Sequence, residues 1–342
     1  MKNIFRFLIM ASILLLGADS IYAGGGNRTG TGGAAQLLVP VGVRGIAMGE
    51  SNITTATGVE ALFWNPAGAA KTSSSASLTF SHMNYIADIG VEYGAVSANF
   101  EGFGVISFSV KSLSVGDIPV TTTQAPDGTG QIYTPQELVA GITYSKQLTD
   151  RIAVGVTANY ITEKLDQVSA SGIAFNFGVA YNDLADISGL SFGIVMKNVG
   201  PSMKFEGPGL LTRATVTDYN RPPGYYTIDS APFDLPTNFQ IGLSYQPALD
   251  DVNALTVTSL FTNNNFSEDE YKFGLEYGYD NTVFLRGGYS MSARSQDDYI
   301  YGFSAGVGIN YDLGGLTAKV DYAYRDVKYF GGNHVFGISL GF

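Results

Sequence analysis

Tyr271-Lys272-Phe273-Gly274-Leu275-Glu276-Tyr277-Gly278-Tyr279 alternates at every step between an apolar side chain and a charged or small one. Successive side chains of a strand point to opposite faces. Tyr271, Phe273, Leu275, Tyr277 and Tyr279 therefore make one greasy wall, and Lys272, Gly274, Glu276 and Gly278 make the other. The same rule holds downstream. Tyr299, Tyr301, Phe303, Ala305, Val307, Ile309 and Tyr311 oppose Ile300, Gly302, Ser304, Gly306, Gly308 and Asn310. Leu316, Ala318, Val320, Tyr322 and Tyr324 oppose Thr317, Lys319, Asp321, Ala323 and Arg325. A lysine or arginine facing mid-bilayer lipid costs about 2–4 kcal/mol. The polar wall is accordingly assigned to a lumen carrying Lys272, Glu276, Arg286, Lys319, Asp321 and Arg325.

Working outward, weaker alternation marks segments near 75–85, 90–100, 103–113, 137–148, 152–163, 171–182, 190–200, 237–246 and 254–263. The later ones fall near 270–279, 282–291, 299–311, 316–326 and 334–342. Together they predict an all-β fold: an antiparallel transmembrane β-barrel of about fourteen strands, even in number as in bacterial single-chain barrels. The segments are close to the ~9–11 residues that a tilted strand needs to cross a bilayer. Connections at 101–102, 149–151, 183–189, 247–253, 280–281 and 312–315 are short, while 114–136 and 201–236 are long and of opposite parity. Short periplasmic turns alternating with longer outer loops suit a barrel and not a soluble lectin-like sandwich. The chain ends with Phe336, Ile338, Leu340 and Phe342 on one face, similar to the final-strand signal of outer-membrane assembly. Tyr279, Tyr299, Tyr311 and Tyr324, at strand ends, are expected in the aromatic girdles.

Composition agrees. Only 14% of residues are charged, against a typical ~25%, while 43 are glycine, 21 tyrosine and 21 phenylalanine. With 19 Lys+Arg against 30 Asp+Glu the chain is acidic, which argues against a nucleic-acid partner. No cysteine is present, which excludes disulfides, thiolate metal sites and a lipid-modified cysteine. Lys2 and Arg6 precede a short apolar core, Phe7 to Gly17, and then Ile21-Tyr22-Ala23. This is a secretory signal, too short to span a bilayer, with cleavage expected after Ala23. The expected division is thus a signal peptide over 1–23, an N-terminal plug over 24–73 and the barrel over 74–342.

The plug segment reads Val41-Gly42-Val43-Arg44-Gly45-Ile46-Ala47-Met48-Gly49-Glu50 and, further on, Glu60-Ala61-Leu62-Phe63-Trp64-Asn65-Pro66-Ala67-Gly68. A short helical stretch from Gly58 should stop at Asn65, because Pro66 disfavours helical geometry before it. Gly45 and Gly49 would let backbone lie close to a barrel wall. Asn65 is expected to tie hatch to wall through its amide, and Trp64 to anchor the hatch or to move as a gate. These residues resemble the N-terminal hatch of the FadL-like outer-membrane superfamily, and more closely the PorV/PorQ family. Thr121-Thr122 with Gly128-Thr129-Gly130, and Lys197-Asn198-Val199-Gly200, are also similar. The resemblance carries over Arg44, Gly45, Met48, Gly49, Glu60, Trp64, Asn65, Pro66, Ala67 and Gly68 as hatch residues.

That resemblance implies a component of the type IX secretion system, which binds C-terminal signal domains of secreted proteins and passes them to a surface attachment complex. Its partners would be secreted cargo, other secretion subunits and outer-membrane lipid. The alternative is a FadL-like transporter of hydrophobic small molecules; a third reading is a porin-like barrel without specific cargo. The long loop 201–236 is the candidate contact surface, with Tyr219, Pro222, Pro223, Tyr225, Tyr226 and Phe233 offering stiff, aromatic area. Its alternative is a lid folded over the barrel. Catalysis is not expected, since Ser81 and His82 are strand neighbours on opposite faces. Neither a cofactor nor a metal site is expected. The acidic runs Glu268-Asp269-Glu270 and Asp297-Asp298 read as solvated loop tips, with weak calcium binding as the alternative. Gly24 to Gly33 reads as a flexible linker, without the Lys-Ser/Thr of a phosphate loop.

Overall fold

The computed structural model describes residues 32–215, 222–294 and 299–342. The expected signal peptide, most of the glycine tract, Tyr219 and Asp297-Asp298 lie outside the described residues. In chain order the strands begin with β1 (Ala76–Asn84), β2 (Gly90–Phe100), β3 (Gly104–Ser114), β4 (Ile118–Pro119), β5 (Ile132–Tyr133) and β6 (Gln136–Gln147). Next come β7 (Ile152–Leu165), β8 (Val168–Tyr181), β9 (Leu190–Val199), β10 (Leu211–Ala214), β11 (Gly224–Thr227) and β12 (Asn238–Tyr245). The last are β13 (Asn253–Asn264), β14 (Glu270–Tyr279), β15 (Val283–Ser292), β16 (Tyr301–Asp312), β17 (Thr317–Val327) and β18 (Gly331–Gly341).

Fourteen of these close an antiparallel barrel, each paired with its barrel neighbour in sequence. The seam joins β1 to β18, from Ser77 opposite Gly341 to Asn84 opposite His334. Closure leaves no unpaired edge, which hydrocarbon would not tolerate. The two remaining pairs, β4–β5 and β10–β11, are small hairpins within the long outer loops. Among the described residues no helix is long and apolar enough to cross a membrane. The greasy walls face outward: Phe108, Ile142, Phe177, Leu285, Val320 and Phe336 are exposed, while Ser107, Thr143, Thr157, Ser304 and Ala323 are buried inside.

The dyad rule fails at two bulges, one on β16 and one at the end of β9. On β16 the pairing with β17 shifts register between Tyr301 and Ser304. One extra residue on a bulged strand exchanges the faces on its two sides. Phe303, Val307, Ile309 and Tyr311 face lipid as expected. Tyr301 instead turns into the lumen, where its ring lies 4.1 Å from the Arg325 guanidinium and its hydroxyl 2.7 Å from that of Tyr85. Tyr299 follows, donating to Glu270 at 2.8 Å, so it is not a girdle residue. Tyr279 and Tyr311 are exposed at the strand ends next to the short turns 280–282 and 313–316.

A second difference concerns the outer connections. β8 begins at Val168 and β18 at Gly331, so residues 166–167 and 328–330 are turns as tight as the periplasmic ones. Leu165 pairs with Val168, and Asp166 takes the left-handed conformation (φ 50°) that a two-residue hairpin turn needs. At the end of β9, Asn198 is also left-handed (φ 61°) and accepts no regular ladder position; its amide N–H donates to the Asn176 side chain at 2.8 Å. This bulge releases the chain into the long outer loop.

Val307 sits on the lipid wall midway along β16, opposite Leu285 and Tyr322. Val307→Arg should lower stability by about 2–4 kcal/mol in urea titrations of the barrel folded into lipid vesicles. Val307→Leu should leave the midpoint nearly unchanged.

Candidate functional site

The lumen is filled by the chain's own N-terminal segment. Its helix Val43–Ala47 leads to Met48 and Gly49, then through turns to the 3-10 turn Gly58–Glu60 and the helix Ala61–Trp64. Asn65 is extended (φ −150°, ψ 107°), as the following proline requires, and Pro66–Ala70 resumes as a 3-10 turn. Ile46, Ala47, Met48, Ala61, Asn65 and Ala67 are fully enclosed. Gly49 has φ 63°, and a Cβ there would stand 2.8 Å from the Phe273 carbonyl and the Tyr289 amide, so backbone meets wall directly. Gly45 serves a contact within the hatch. It lies under the Trp64 indole, which a side chain at that position would displace.

Ion pairs hold the hatch to one side of the barrel. Arg44 grips Glu276 of β14 through two parallel hydrogen bonds of 2.7 Å and donates a third to the Thr55 carbonyl at 2.9 Å. Glu276 also accepts from Arg286 of β15 at 2.6 Å, and Arg286 reaches Asp321 of β17 at 2.5 Å. Glu60 stands farther off, 3.8 Å from Arg44. A second cluster centres on Glu50 of the hatch, which meets Lys272 at 2.7 Å and Arg325 at 2.5 Å. Lys272 also meets Glu270 at 2.9 Å, and Arg325 donates to Asn333 at 2.8 Å. Burial alone would raise the Glu50 carboxyl, but Lys272 and Arg325 outweigh it and hold that group below the usual carboxylate range. Lys319 apart, these lumen charges thus neutralise hatch residues and one another.

The opposite wall uses neutral contacts. Asn65 donates to the Ile53 carbonyl at 2.9 Å and to Val179 of β8 at 3.2 Å, while its own oxygen accepts from Ala67 N–H at 3.0 Å. Ser145 of β6 donates to the Pro66 carbonyl at 2.6 Å. Gly178 of β8 leaves the room for this turn: a Cβ there would overlap the Asn65 side chain and reach Pro66 at 2.9 Å. Lys111 of β3 donates to the Val39 carbonyl at 2.9 Å.

The outer-loop residues divide. Pro222, Pro223, Tyr225 and Tyr226 are exposed, with Tyr225 78% accessible on the β10–β11 hairpin. Phe233 turns the other way. Its ring lies tilted against that of Phe205, centroids 5.4 Å apart, and packs on the cluster of Met203, Leu235 and Leu37, so it ties the loop to the start of the hatch. Asp269 is no solvated tip either: buried, it accepts from Asn264 N–H and the Asn263 amide. Lys319 lies at the periplasmic mouth, beside a cavity of about 270 Å³ between the wall and hatch residues 57–60 and 71–74. His82 pairs with Glu92 at 2.5 Å on the outward face, and Ser81 is buried inside. Glu50, Phe63, Lys111 and Lys197 were not singled out from sequence as contact residues, although Lys111 and Lys197 stand at inward-facing positions of the same alternation. On the outer side of the hatch, Phe63, Trp64 and Lys197 border a cavity of about 500 Å³.

A family model described as type IX secretion system protein PorV matches residues 23–265. The chain belongs to the PorV family. No curated protein matches the sequence. Among solved structures, the Pseudomonas putida toluene transporter TodX aligns with a TM-score of 0.55 at 13% identity, covering 88% of this chain and 96% of that one. The Ralstonia pickettii toluene transporter TbuX gives 0.53 at 11% identity, with 88% and 97% covered. A Pseudomonas aeruginosa FadL homologue gives 0.51 at 13%, with 88% and 98% covered. At such identities these likenesses speak to the fold, a FadL-like outer-membrane barrel. PorV is a type IX secretion system protein, and TodX and TbuX are toluene transporters.

Because Glu276 holds two guanidiniums inside the barrel, Glu276→Ala strips Arg44 of its bidentate partner, leaving it Glu60 at 3.8 Å, and leaves Arg286 with Asp321 alone. The loss should be about 3–5 kcal/mol, seen as a lower unfolding midpoint in vesicles, with faster amide exchange over residues 43–49.

Proposed function

We propose that this PorV-family barrel acts as an outer-membrane docking station for the C-terminal signal domains of type IX secretion cargo, and passes them on to the surface attachment complex. The observation that carries the reading is the projecting β10–β11 hairpin. Leu211, Tyr225, Tyr226 and Ile228 are exposed on it, on a barrel whose lumen holds the buried hatch. Rigid aromatic side chains on a short hairpin give contact area at small entropic cost. A lumen sealed by ion pairs on one wall and tight backbone contacts on the other suits a carrier that holds its cargo outside. In this reading residues 1–23 are removed on export and 24–73 form the resident hatch.

A second reading has one specific observation in its favour. The cavity of about 500 Å³ beside Phe63 and Trp64 would admit a small hydrophobic solute, and toluene transporters share the fold. Hatch displacement would then be needed for passage.

The two readings diverge in a capture experiment. Tagged protein purified from envelopes should bring down secreted proteins bearing C-terminal sorting domains. Replacing residues 211–228 with a Gly-Ser linker should reduce that recovery at least tenfold while the barrel still resists unfolding. Equal recovery with and without the hairpin, or none from the wild type, would refute the docking role.

A further inference from the structure

Lys197 of β9 is only 6% exposed, yet among the described residues its ammonium has neither a carboxylate within ion-pair distance nor a hydrogen-bond acceptor. Its contacts are aromatic: it stands 4.5 Å from the Phe63 ring centroid and 5.5 Å from that of Trp64. The other inward cations of this region are spoken for. Lys272 and Arg325 share Glu50, and Lys111, 4.8 Å from the Phe63 centroid, donates to Val39. A buried, unpaired charge is expensive, and a π face answers only part of its demand. Lys197 borders the cavity of about 500 Å³ on the outer side of the hatch. Three buried polar atoms on the same cavity wall also lack partners: Asn238 Oδ1, Gln240 Oε1 and Thr262 Oγ1. Asn238 is directly opposite Lys197 in the β9–β12 ladder.

We propose that this cavity is a binding site for a monocarboxylate with a compact apolar body, its head on Lys197 and its body against Phe63 and Trp64. One free ammonium calls for one negative charge. On binding, the Asn238, Gln240 and Thr262 side chains turn amide and hydroxyl donors toward the remaining carboxylate lone pairs, a rotation that no present hydrogen bond of these oxygens opposes. The apolar side is formed by Leu37, Val39 and Leu113 together with the two aromatic rings. A volume of about 500 Å³ matches a small molecule and not a peptide segment. Glu50, Glu137 and Glu270 also line the cavity; none is within ion-pair distance of Lys197, Glu50 and Glu270 are already engaged by Lys272 and Arg325, and the three carboxylates disfavour a dianion. The site is independent of the docking role assigned to the outer hairpin.

Trp64 is the single tryptophan of the chain, so its emission reports on the site directly. In protein folded into phosphatidylcholine vesicles, phenylacetate should change that emission saturably. It should bind at least tenfold more tightly than its neutral analogue 2-phenylethanol, and inorganic phosphate should have no saturable effect. Lys197→Met should weaken phenylacetate at least tenfold, Lys197→Arg should restore most of the affinity, and Lys319→Gln at the far mouth should leave it unchanged. Equal binding of acid and alcohol, a matching response to phosphate, or an unaltered Lys197→Met titration would overturn the proposal. The acid–alcohol comparison uses the unmodified chain, so it decides the matter even if Lys197→Met fails to fold.

Discussion

A carboxylate that accepts from two guanidiniums in a closed barrel is a demanding arrangement, and the rest of the molecule is organised around it. Glu276 binds Arg44 of the hatch and Arg286 of the wall at once. Desolvating three charged groups costs several kcal/mol each, and only near-ideal geometry with further hydrogen bonds compensates. That geometry exists here: Arg44 is bidentate, and Arg286 continues to Asp321. The pairing also fixes register. Moving the Val43–Ala47 helix by one turn would take Arg44 out of reach of Glu276 and leave that carboxylate with Arg286 alone. Glu50, six residues after Arg44, repeats the device with Lys272 and Arg325 and sets the orientation of the segment that follows.

Complementarity between hatch and wall explains the uneven distribution of lumen residues. Where the hatch presents charged side chains, strands β14, β15 and β17 answer with charges. Where it presents bare backbone at Met48-Gly49 or at Asn65-Pro66, the wall answers with glycine and serine: Gly178 and Ser145 on one side, Ser290 and Ser304 on the other. A water-filled pore would not need such a match, because solvent can satisfy any polar lining.

Much of this was legible in advance, and the limits have physical reasons. Dyad alternation located the barrel strands because lipid outside and polar interior impose opposite demands on neighbouring residues. The halt at Asn65 followed from proline sterics alone. The bulge on β16 was hidden because Tyr299-Ile300-Tyr301-Gly302-Phe303 alternates plausibly with or without an extra residue. Tyrosine suits a girdle as well as a lumen with acceptors, so residue type could not choose. Phe233 misled for a related reason: an aromatic in a long loop serves equally as an outward anchor or an inward tie, and only Phe205 and Met203 decide between them. Lys111 and Lys197 stood at inward positions, but a pattern shows only that a charge faces in. Whether it finds a counterion depends on which parts of the chain are folded opposite it.

That last distinction separates two uses of buried charge in one lumen. Arg44, Arg286, Lys272 and Arg325 are saturated by carboxylates, so they hold the hatch but have little left with which to recognise anything else. Lys197 faces the same interior from the opposite wall and is left with two aromatic rings. A barrel that needed only to be plugged would place a neutral residue there, as it does at Val195 one step along the same face. The asymmetry puts structural charge on the β14–β17 side and available charge beside the cavity. Retention of the hatch and recognition within the lumen are thereby assigned to different residues, and substitution can alter one without the other.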